Sequence, residues 1–195
     1  MGREFELKFR AMPEDLAKLR QRFGDFAAIS METTYYDTPA GDLAQGHITL
    51  RRRFENGLSV CTVKTPGDGH GRGEWDAEAD TIQDAIPLLR GAGCGVDLET
   101  LTKAGLLPIC GARFTRLAKT LEAGNCRVEL ALDQGFLLGG GKEIPLCEVE
   151  VELKSGEETA AVAFARQLAL EYGLEPEGKS KFRRALDLAK GENNG

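Results

Sequence analysis

Hydrophobic and polar residues alternate in short segments that are spread along most of this sequence. The first segment, EFELKF at residues 4–9, sets three charged residues against three apolar ones. Because successive side chains of a β-strand point to opposite faces, such a segment forms a strand with one charged face and one apolar face. Five more segments alternate in the same way, which predicts at least six two-faced strands. They are HITLRRRF, LSVCTVK, RGEWDAEA, CRVELALD and LCEVEVEL.

Four other segments have the periodicity of amphipathic helices. PEDLAKLRQRF begins with Pro13, and proline is common at the first helical position. TIQDAIPLLRGAG begins with Thr81, a residue type that often caps helices, and we expect Pro87 to bend or shorten this helix. The remaining two helices are EETAAVAFARQLALEYG and SKFRRALDLAK.

The helices need apolar surfaces to cover, and the apolar strand faces are the surfaces that the sequence offers. If the helices pack on those faces, the charged faces lie together on the other side of the sheet. Two arrangements are then open. The charged side of an antiparallel sheet can face water, or a barrel of about eight strands can close around it and turn the charges into the lining of a tunnel.

Length and charge limit the classes of protein to consider. The 195 residues, of which 42% are hydrophobic, predict one domain over residues 1–190 and a flexible tail at 191–195. The formal net charge of −6 argues against a general nucleic-acid binder or a binder of anionic membranes. The N-terminus MGREFELKF is charged where a secretory signal is apolar, and no apolar run approaches bilayer-spanning length. We therefore predict a cytoplasmic protein.

Five cysteines are present, which is an odd number, and none of them form a C-x-x-C pair. This spacing indicates neither a disulfide framework nor a zinc site. We expect reduced cysteines that serve in packing.

Basic and acidic residues of the charged faces lie on different predicted strands. Arg51, Arg53 and Lys64 are on two of them, while Glu148 and Glu150 are on another. Arginine and lysine donate charge-assisted hydrogen bonds to phosphate, and carboxylate oxygens prefer hard divalent cations. This sorting favours a site that binds a polyanion on one side and holds divalent cations on the other.

Taken in order, the motifs of the chain resemble those of the CYTH, or triphosphate tunnel metalloenzyme, superfamily. EFELK matches its E-x-E-x-K motif, and the companion motifs follow in the family's order across nearly the whole chain. These are YYDTP, LRRRFENG, TVK, RGEW, FTR, RVELALDQG, CEVEVELKSG and SKFRRAL. The last four look most like the bacterial inorganic triphosphatase branch, in which a helical CHAD domain often follows. We expect no such domain within these 195 residues.

The resemblance implies an α+β fold, in which an eight-stranded antiparallel β barrel forms a triphosphate tunnel with helices packed on the outside. It also implies Mg²⁺ or Mn²⁺ as cofactor and metal-dependent hydrolysis of inorganic triphosphate to pyrophosphate and phosphate. The expected partner is a small-molecule triphosphate, with no nucleic acid and no membrane, and the expected assembly is a monomer or homodimer.

Residue chemistry and resemblance together select the candidate site. The candidates for binding triphosphate are the basic residues Lys8, Arg51, Arg53, Lys64, Arg72, Arg116, Arg127 and Lys181. The candidates for holding the metal are the carboxylates Glu4, Glu6, Glu148, Glu150 and Asp133. The catalytic candidates are Glu129, Glu74 and Lys8; the two carboxylates either orient water or neutralise a neighbouring arginine. We expect Glu152 to lie too near a strand end to contribute.

In the expected mechanism, metal ions neutralise triphosphate, and a metal with a carboxylate positions water for in-line attack on the terminal phosphorus. Basic residues then stabilise the leaving pyrophosphate. Two other classes of function stay open. One is an enzyme for an organic triphosphate, either a thiamine or nucleoside triphosphatase or a class IV adenylyl cyclase, and the other is a non-catalytic polyphosphate-binding module. The charged faces contain no evident aromatic cluster, which favours a small inorganic substrate.

A rival motif, GLEPEGKS at residues 173–180, satisfies the G-x-x-x-x-G-K-[ST] pattern of a phosphate-binding loop. Its setting argues against that function, because it follows a predicted helix rather than a buried strand. Glu175 and Glu177 also place negative charge where backbone amides would bind phosphate. The glycine-rich segment TPGDGHGRGE is interpreted as a flexible turn between two strands.

Overall fold

The computed structural model describes residues 5–66 and 73–191, in which nine strands form one antiparallel sheet. In chain order the strands are β1 (Glu6–Arg10), β2 (Ala27–Asp37), β3 (Thr49–Glu55), β4 (Leu58–Lys64), β5 (Glu74–Glu78), β6 (Leu107–Ala123), β7 (Cys126–Gly139), β8 (Lys142–Gly156) and β9 (Glu175–Pro176). Across the sheet they follow the order β5, β4, β3, β2, β6, β7, β8, β1 and β9.

Six helices accompany the sheet in the described part of the chain. They are α1 (Pro13–Phe23), α2 (Asp42–Gln45), α3 (Ile82–Gly91), α4 (Leu98–Leu101), α5 (Glu158–Tyr172) and α6 (Lys181–Lys190). The four longer helices confirm the predicted ones, and the hydroxyl of Thr81 caps α3 by accepting a 3.1 Å hydrogen bond from the backbone of Asp84. Pro87 lies inside α3, which continues to Gly91, so this proline does not end the helix. None of the described helices has the length and apolarity needed to cross a membrane.

The six alternating segments form β1, β3, β4, β5, β7 and β8, as predicted. The alternation did not predict β2 and β6, although they have 11 and 17 residues and lie at the centre of the sheet. One face of β2 carries both Met31 and Thr33, and one face of β6 carries both Phe114 and Arg116. Because these faces mix apolar and polar side chains, neither strand has a two-faced pattern.

The sheet is open rather than closed. β5 and β9 are its edges, and no strand pairing in the described ranges joins them. The α+β class and the antiparallel sheet are confirmed, while the expected eight-stranded closed barrel is corrected to nine strands without closure. β9 contributes to this difference, because Pro176 and Glu175 pair with Phe9 and Arg10 and thereby occupy part of the β1 edge that closure would need.

The open sheet is nevertheless strongly curled. Arg51 of β3 and Glu150 of β8 line the same cavity, although β2, β6 and β7 lie between their strands. The cavity on the concave side has a volume of about 450 Å³. Curling therefore brings the predicted charged faces together, as a closed tunnel would.

Helices cover the apolar strand faces on the convex side, as predicted. α1 and α5 pack on β1, β7 and β8 through a core that includes Leu19, Val149 and Ala165. The shorter helices and α3 pack on β3 and β4 through a second core, which includes Leu50 and Val63. Burial of each of these leucine and valine side chains contributes roughly 1.5–3 kcal/mol to stability.

α6 is an exception, because it packs on the concave side against β6 and β7. Its Ala185 and Leu186 join a third core, together with Phe114 and Leu137 of those strands. Gly139 permits this approach, since a Cβ atom there would lie 2.4 Å from the carbonyl oxygen of Ala185. The expectation that all helices pack on the outside is therefore wrong for α6, which borders the cavity instead.

The YYDTP motif has a structural function here. The carboxylate of Asp37 accepts hydrogen bonds from the backbone N–H groups of Thr38, Leu43 and Ala44 at 2.7–3.1 Å. These bonds satisfy the amide groups at the start of α2 and fix the chain reversal after β2. Residues 192–195 of the predicted tail (191–195) and residues 67–72 of the glycine-rich turn lie outside the described residues.

Candidate active site

The cavity has a basic wall built from β3 and β4. Arg51 and Arg53 alternate along β3, and Lys64 ends β4, so the pleat directs all three into the cavity. Glu74 of β5 lies 3.0 Å from the ammonium of Lys64 and 3.7 Å from the guanidinium of Arg51. Glu55 lies 3.0 Å from the guanidinium of Arg53. Acidic residues of the same wall therefore hold these cations in place.

Two donors on this wall have no acceptor among the described residues. The Nε atoms of Arg51 and Arg53 are buried, and neither makes a hydrogen bond. Burial and the adjacent charge of Arg51 lower the pKa of Arg53, although Glu55 opposes this shift. An unsatisfied buried donor costs about 1–3 kcal/mol, and more when it is charged. The basic wall is thus prepared to bind an anion that enters the cavity.

The opposite wall is acidic and is built from β7, β8 and β1. Glu129, Glu152 and Glu6 are directly paired across these three strands, so three carboxylates form one row. Like charges that face each other directly destabilise a sheet. Lys8 lies 3.3 Å from Glu6, and Lys154 lies 2.8 Å from Glu152 and 3.7 Å from Glu129. Two lysines therefore lie among the three carboxylates and offset part of their mutual repulsion.

A buried carboxylate cluster adjoins this row. Asp133, Glu148 and Glu150 have ligand oxygens within 4.8 Å of one another. The ammonium nitrogen of Lys181, on α6, lies 2.9, 2.5 and 2.6 Å from oxygens of these three residues, respectively. The ammonium ion therefore already occupies the position that a cation would take within this cluster.

Two arginines complete the charge balance of the cluster. The guanidinium of Arg116 makes a bidentate pair with Asp133 at 2.8 and 2.7 Å and also contacts Glu150, while Arg184 pairs with Glu148. Burial acts to raise the pKa of Glu150, but attraction to Lys181 and Arg116 outweighs it and lowers that pKa to about 2. The pKa of Lys181 is raised by the surrounding carboxylates, against the opposing effect of its burial. Glu150 and Lys181 are thus held in their charged forms.

Most of the predicted site residues come together at the cavity. Those that line it are Glu6, Lys8, Arg51, Arg53, Lys64, Glu74, Arg116, Glu150 and Lys181. Asp133 and Glu148 are fully buried behind this lining, within the carboxylate cluster. Glu4 and Arg72 lie outside the described residues.

Besides Asp133 and Glu148, two further candidates do not line the cavity. Arg127 is exposed and pairs with Glu122 at 3.4 Å, and the β-bulge beside it shifts the register at this end of β7. Glu129 belongs to the acidic row but lies beside Lys154 and does not line the cavity. The structure therefore does not support Arg127 as a triphosphate ligand or Glu129 as a group that orients water.

Sequence reasoning missed several lining residues. Glu152 lines the cavity because β8 extends to Gly156, so the expectation that it lies too near a strand end is wrong. Asp76 lines it as well and accepts a 2.6 Å hydrogen bond from the hydroxyl of Thr62. Glu152 shares a strand face with Glu150, and Asp76 shares one with Glu74. Because Glu150 and Glu74 were predicted site residues, this shared face could have identified the other two.

An aromatic cluster is also present, although the sequence did not indicate one. Tyr35, Phe114 and Phe182 line the cavity at its α6 end. The rings of Tyr35 and Phe182 are 4.9 Å apart, and the Lys181 ammonium lies 5.4 Å from the ring centre of Phe114. These ring faces are already in contact with protein groups.

The GLEPEGKS segment is not a phosphate-binding loop. Within it Glu175 and Pro176 form the edge strand β9, Glu177 is buried, and the hydroxyl of Ser180 caps α6 by accepting a bond from Arg183. No strand leads into it from a parallel sheet in the described chain, because α5 precedes it. The sequence-based rejection of this motif is confirmed.

The donor set of the acidic wall fits a hard divalent cation. Its oxygens are of the type that Mg²⁺ and Mn²⁺ prefer. Glu6 and Glu152 line the cavity and are accessible from it, whereas Glu150 lines it with both of its oxygens in contact with Lys181 and Arg116. Asp133 and Glu148 have no exposed surface and face the Lys181 ammonium, so a metal would have to displace that lysine to bind between them. The cavity-facing carboxylates are the better site.

Comparison with known proteins agrees with this architecture. The chain is 32% identical over 200 residues to the inorganic triphosphatase of Haemophilus influenzae, in an alignment that covers 96% of this chain and 55% of that protein. This chain thus spans about half the length of that relative.

Two solved structures share the fold. HpAC1 from Hippeastrum, a proposed adenylyl cyclase described as having a dominant triphosphatase activity, superposes with a TM-score of 0.67 at 22% identity, covering 97% of each chain. The PH1819 protein of Pyrococcus horikoshii superposes with a TM-score of 0.63 at 25% identity, covering 96% of this chain and 99% of that one. The family model of the CYTH domain matches residues 2–186. This chain therefore belongs to the CYTH domain family.

Proposed function

We propose that this protein binds inorganic triphosphate in its cavity and hydrolyses it, with a divalent cation, to pyrophosphate and phosphate. The observation that carries the proposal is the pair of buried Nε donors on Arg51 and Arg53, which lack an acceptor on a wall that faces the cavity. A ligand with several anionic oxygens would satisfy them. The 32% identical relative from Haemophilus influenzae, which is named an inorganic triphosphatase, supports the same substrate.

Triphosphate fits the distribution of charge in the cavity better than a monovalent anion does. Its charges are spread along a short chain, and Arg51, Arg53 and Lys64 are spread along two neighbouring strands. Arginine forks bind phosphate oxygens in bidentate fashion and lysine adds a point charge. Lys8 and Arg116 line the cavity from other strands, so donors approach the substrate from several directions.

A divalent cation would be held by Glu6 and Glu152, which line the acidic wall, and by Glu150 once Lys181 or Arg116 releases one of its oxygens. When bound, it would neutralise phosphate charge and activate water at neutral pH. We assign Mg²⁺ or Mn²⁺ because the ligands are all oxygens. Asp133 and Glu148, which the sequence also suggested as metal ligands, instead hold Lys181 and Arg116 in position.

The residues of the basic wall stabilise the reaction by their fixed positions. Arg51 and Lys64 are oriented by Glu74 before substrate arrives, so no reorganisation is needed when charge develops on the leaving pyrophosphate. Glu74 thus acts through these cations rather than as the group that orients water. Lys8 lines the cavity next to Glu6 and donates to phosphate oxygens.

The aromatic cluster favours inorganic triphosphate over an organic one. Tyr35 and Phe114 are each only 5% exposed, and the ring of Tyr35 packs beside Phe182. A nucleoside or thiamine ring needs an open aromatic face on which to stack. Because these ring faces already pack against protein groups, an organic group would gain little stacking energy at the α6 end of the cavity.

The test is a phosphate-release panel with inorganic triphosphate, ATP, thiamine triphosphate and pyrophosphate, run with Mg²⁺, with Mn²⁺ and with excess EDTA. We expect inorganic triphosphate to be the preferred substrate and EDTA to abolish its hydrolysis. A parallel assay for cyclic AMP tests the cyclase alternative. Preference for an organic triphosphate, or binding of triphosphate without turnover under every metal condition, would overturn the proposal.

A further inference from the structure

The loop between α5 and α6, residues 173–180, is tied to the cavity through Glu177. This residue is only 5% exposed. Its backbone N–H donates to the carbonyl of Lys8 at 2.9 Å, and its carboxylate accepts from the side chain of Arg10 at 2.7 Å and from the backbone of Lys179 at 2.8 Å. The donors more than offset the effect of burial and lower the pKa of Glu177. A buried carboxylate with such partners is held rigidly.

Glu177 connects to Lys181 through two intermediate side chains. Its Oε2 atom lies 3.5 Å from the guanidinium of Arg184, which also pairs with Oε1 of Glu148. The other oxygen of Glu148 lies 2.5 Å from the ammonium of Lys181. Alternating charges thus run from the loop to the cavity lining without a break.

We propose that Glu177 is a positioning residue, which through Arg184 and Glu148 holds the ammonium of Lys181 at the cavity wall. The kinetic part of this inference rests on the proposed triphosphatase function, since it takes Lys181 as a group that faces the substrate. The structural part does not depend on that function.

The physical reason lies in the lysine side chain, which has four flexible methylene groups and no preferred direction of its own. Three carboxylates fix the position of its ammonium, but Glu148 can do so only if its own orientation is fixed. Arg184 provides that restraint, and Glu177 in turn restrains Arg184 at the same guanidinium nitrogen that pairs with Glu148. Preorganised charge of this kind is what binding and catalysis of a polyanion require.

A matched control exists on the same helix. Asp187 is also buried, and it pairs with Lys179 of the loop at 3.0 Å and with Arg183 at 2.8 Å. It ties the loop to α6 as Glu177 does, but it makes no contact with Glu148 or Lys181 among the contacts of the described residues. Glu177→Gln and Asp187→Asn are therefore isosteric changes with similar structural costs and different connections to the cavity.

The first measurement does not use activity. In protein with ¹⁵N-labelled lysine, the caged ammonium of Lys181 is expected to give a slowly exchanging NMR signal, which is assigned by its loss in Lys181→Arg. We expect Glu177→Gln to broaden this signal beyond detection and Asp187→Asn to preserve it. An unchanged signal in folded Glu177→Gln would overturn the proposal even if the enzyme is a triphosphatase.

The second measurement is steady-state hydrolysis of inorganic triphosphate by folded protein, with thermal melts as the check on folding. We expect Glu177→Gln to raise KM by about threefold to tenfold, whereas Asp187→Asn keeps the wild-type KM. Equal KM changes in the two variants would reduce Glu177 to a structural anchor of the loop. If no variant hydrolyses triphosphate, the proposed function fails while the NMR result still decides the positioning role.

Discussion

The ammonium of Lys181 lies 2.6 Å from the carboxylate of Glu150, at the point where α6 meets the cavity. Because Asp133 and Glu148 surround the same ammonium, α6 contributes the cation that neutralises a buried acidic cluster. The helix therefore does more than fill the concave side of the sheet. It links the stability of the fold to the charge of the candidate site.

Replacing Lys181 by methionine removes that cation and leaves buried carboxylates with too few positive partners. We expect a loss of about 3–5 kcal/mol in the free energy of unfolding at pH 7, measured by urea denaturation. An uncompensated buried carboxylate has a raised pKa, so the defect should shrink as pH falls from about 7 to 5. Mg²⁺ should raise the melting temperature of this variant more than that of wild type, because the vacated cluster has a metal's donor set. Lys190→Met, at the exposed end of α6, is the control, and equal stability of the two variants would contradict the cluster's role.

Arg53→Ala removes one of the two buried donors on the basic wall. Loss of a charge-assisted hydrogen bond to phosphate should lower kcat/KM for triphosphate by about tenfold to hundredfold. Arg52→Ala is the matched control, since Arg52 points to the other face of β3 and donates to the carbonyl of Asp80 at 2.8 Å. Steady-state kinetics on both variants measures the change in kcat/KM. Similar decreases of kcat/KM in the two variants would show that the effect is not specific to the cavity face.

Glu6→Gln tests the cavity-facing metal site. Glutamine keeps the size of the side chain and one oxygen ligand but loses the negative charge, so the Mg²⁺ concentration for half-maximal activity should rise by at least about tenfold. Activity across a Mg²⁺ titration measures this shift, and high metal should partly restore the rate. Glu32→Gln, on an exposed part of β2, serves as the control. A wild-type titration curve for Glu6→Gln would remove Glu6 from the metal site.

Gly139→Ala tests the packing of α6 on the concave side. The new methyl group would lie 2.4 Å from the carbonyl oxygen of Ala185, so either the helix or β7 must move. We expect a destabilisation of about 1–3 kcal/mol by thermal or urea unfolding. A Cβ atom at Gly91, which ends α3, meets no atom within 4 Å, so Gly91→Ala should be neutral or slightly stabilising. A neutral Gly139→Ala would mean that α6 does not pack as closely as described.

The cysteines should react slowly with thiol reagents in the folded protein. Burial raises the pKa of Cys61 and Cys147 to about 11 and that of Cys110 to about 12. At pH 8 at most about one in a thousand of these three thiols is ionised, so labelling should be slow and should accelerate as pH rises. Denatured protein should release all five thiols to the reagent. Rapid labelling of five thiols before unfolding would contradict the described burial.

The local patterns of the sequence were sufficient for much of this architecture. Alternation placed Glu6 and Arg51 on the cavity side and Leu50 and Val149 beneath helices, because the two faces of a strand are set by neighbouring residues. The bounds of α1 followed for the same reason, since its periodicity and its initial proline lie within the helix itself. The resemblance of ordered motifs to the CYTH family then supplied the candidate chemistry.

The location of β2 and β6 could not be derived in this way. Their concave faces are apolar where α6 covers them and polar where they reach the cavity. The boundary between the apolar and polar parts of each face therefore depends on a helix that is distant in sequence. Strand pairing also determines two other features of the site. A β-bulge separates Arg127 from the cavity, and the edge strand β9 occupies part of the free edge of β1. Register is set by pairing between distant segments and not by either segment alone.

The sequence by itself determined which faces carry charge, which segments are helical and which residue types a polyphosphate site would need. Only the tertiary structure decided that α6 lies on the concave side, and that the ammonium of Lys181 lies between Asp133 and Glu148. The physical reason is that the residues next to a carboxylate in the sequence have the same pattern whether the carboxylate binds a metal or a lysine. Its partner is selected by the three-dimensional approach of a helix roughly thirty to fifty residues away in the chain. Packing against Phe114 and Leu137 is what brings that helix there.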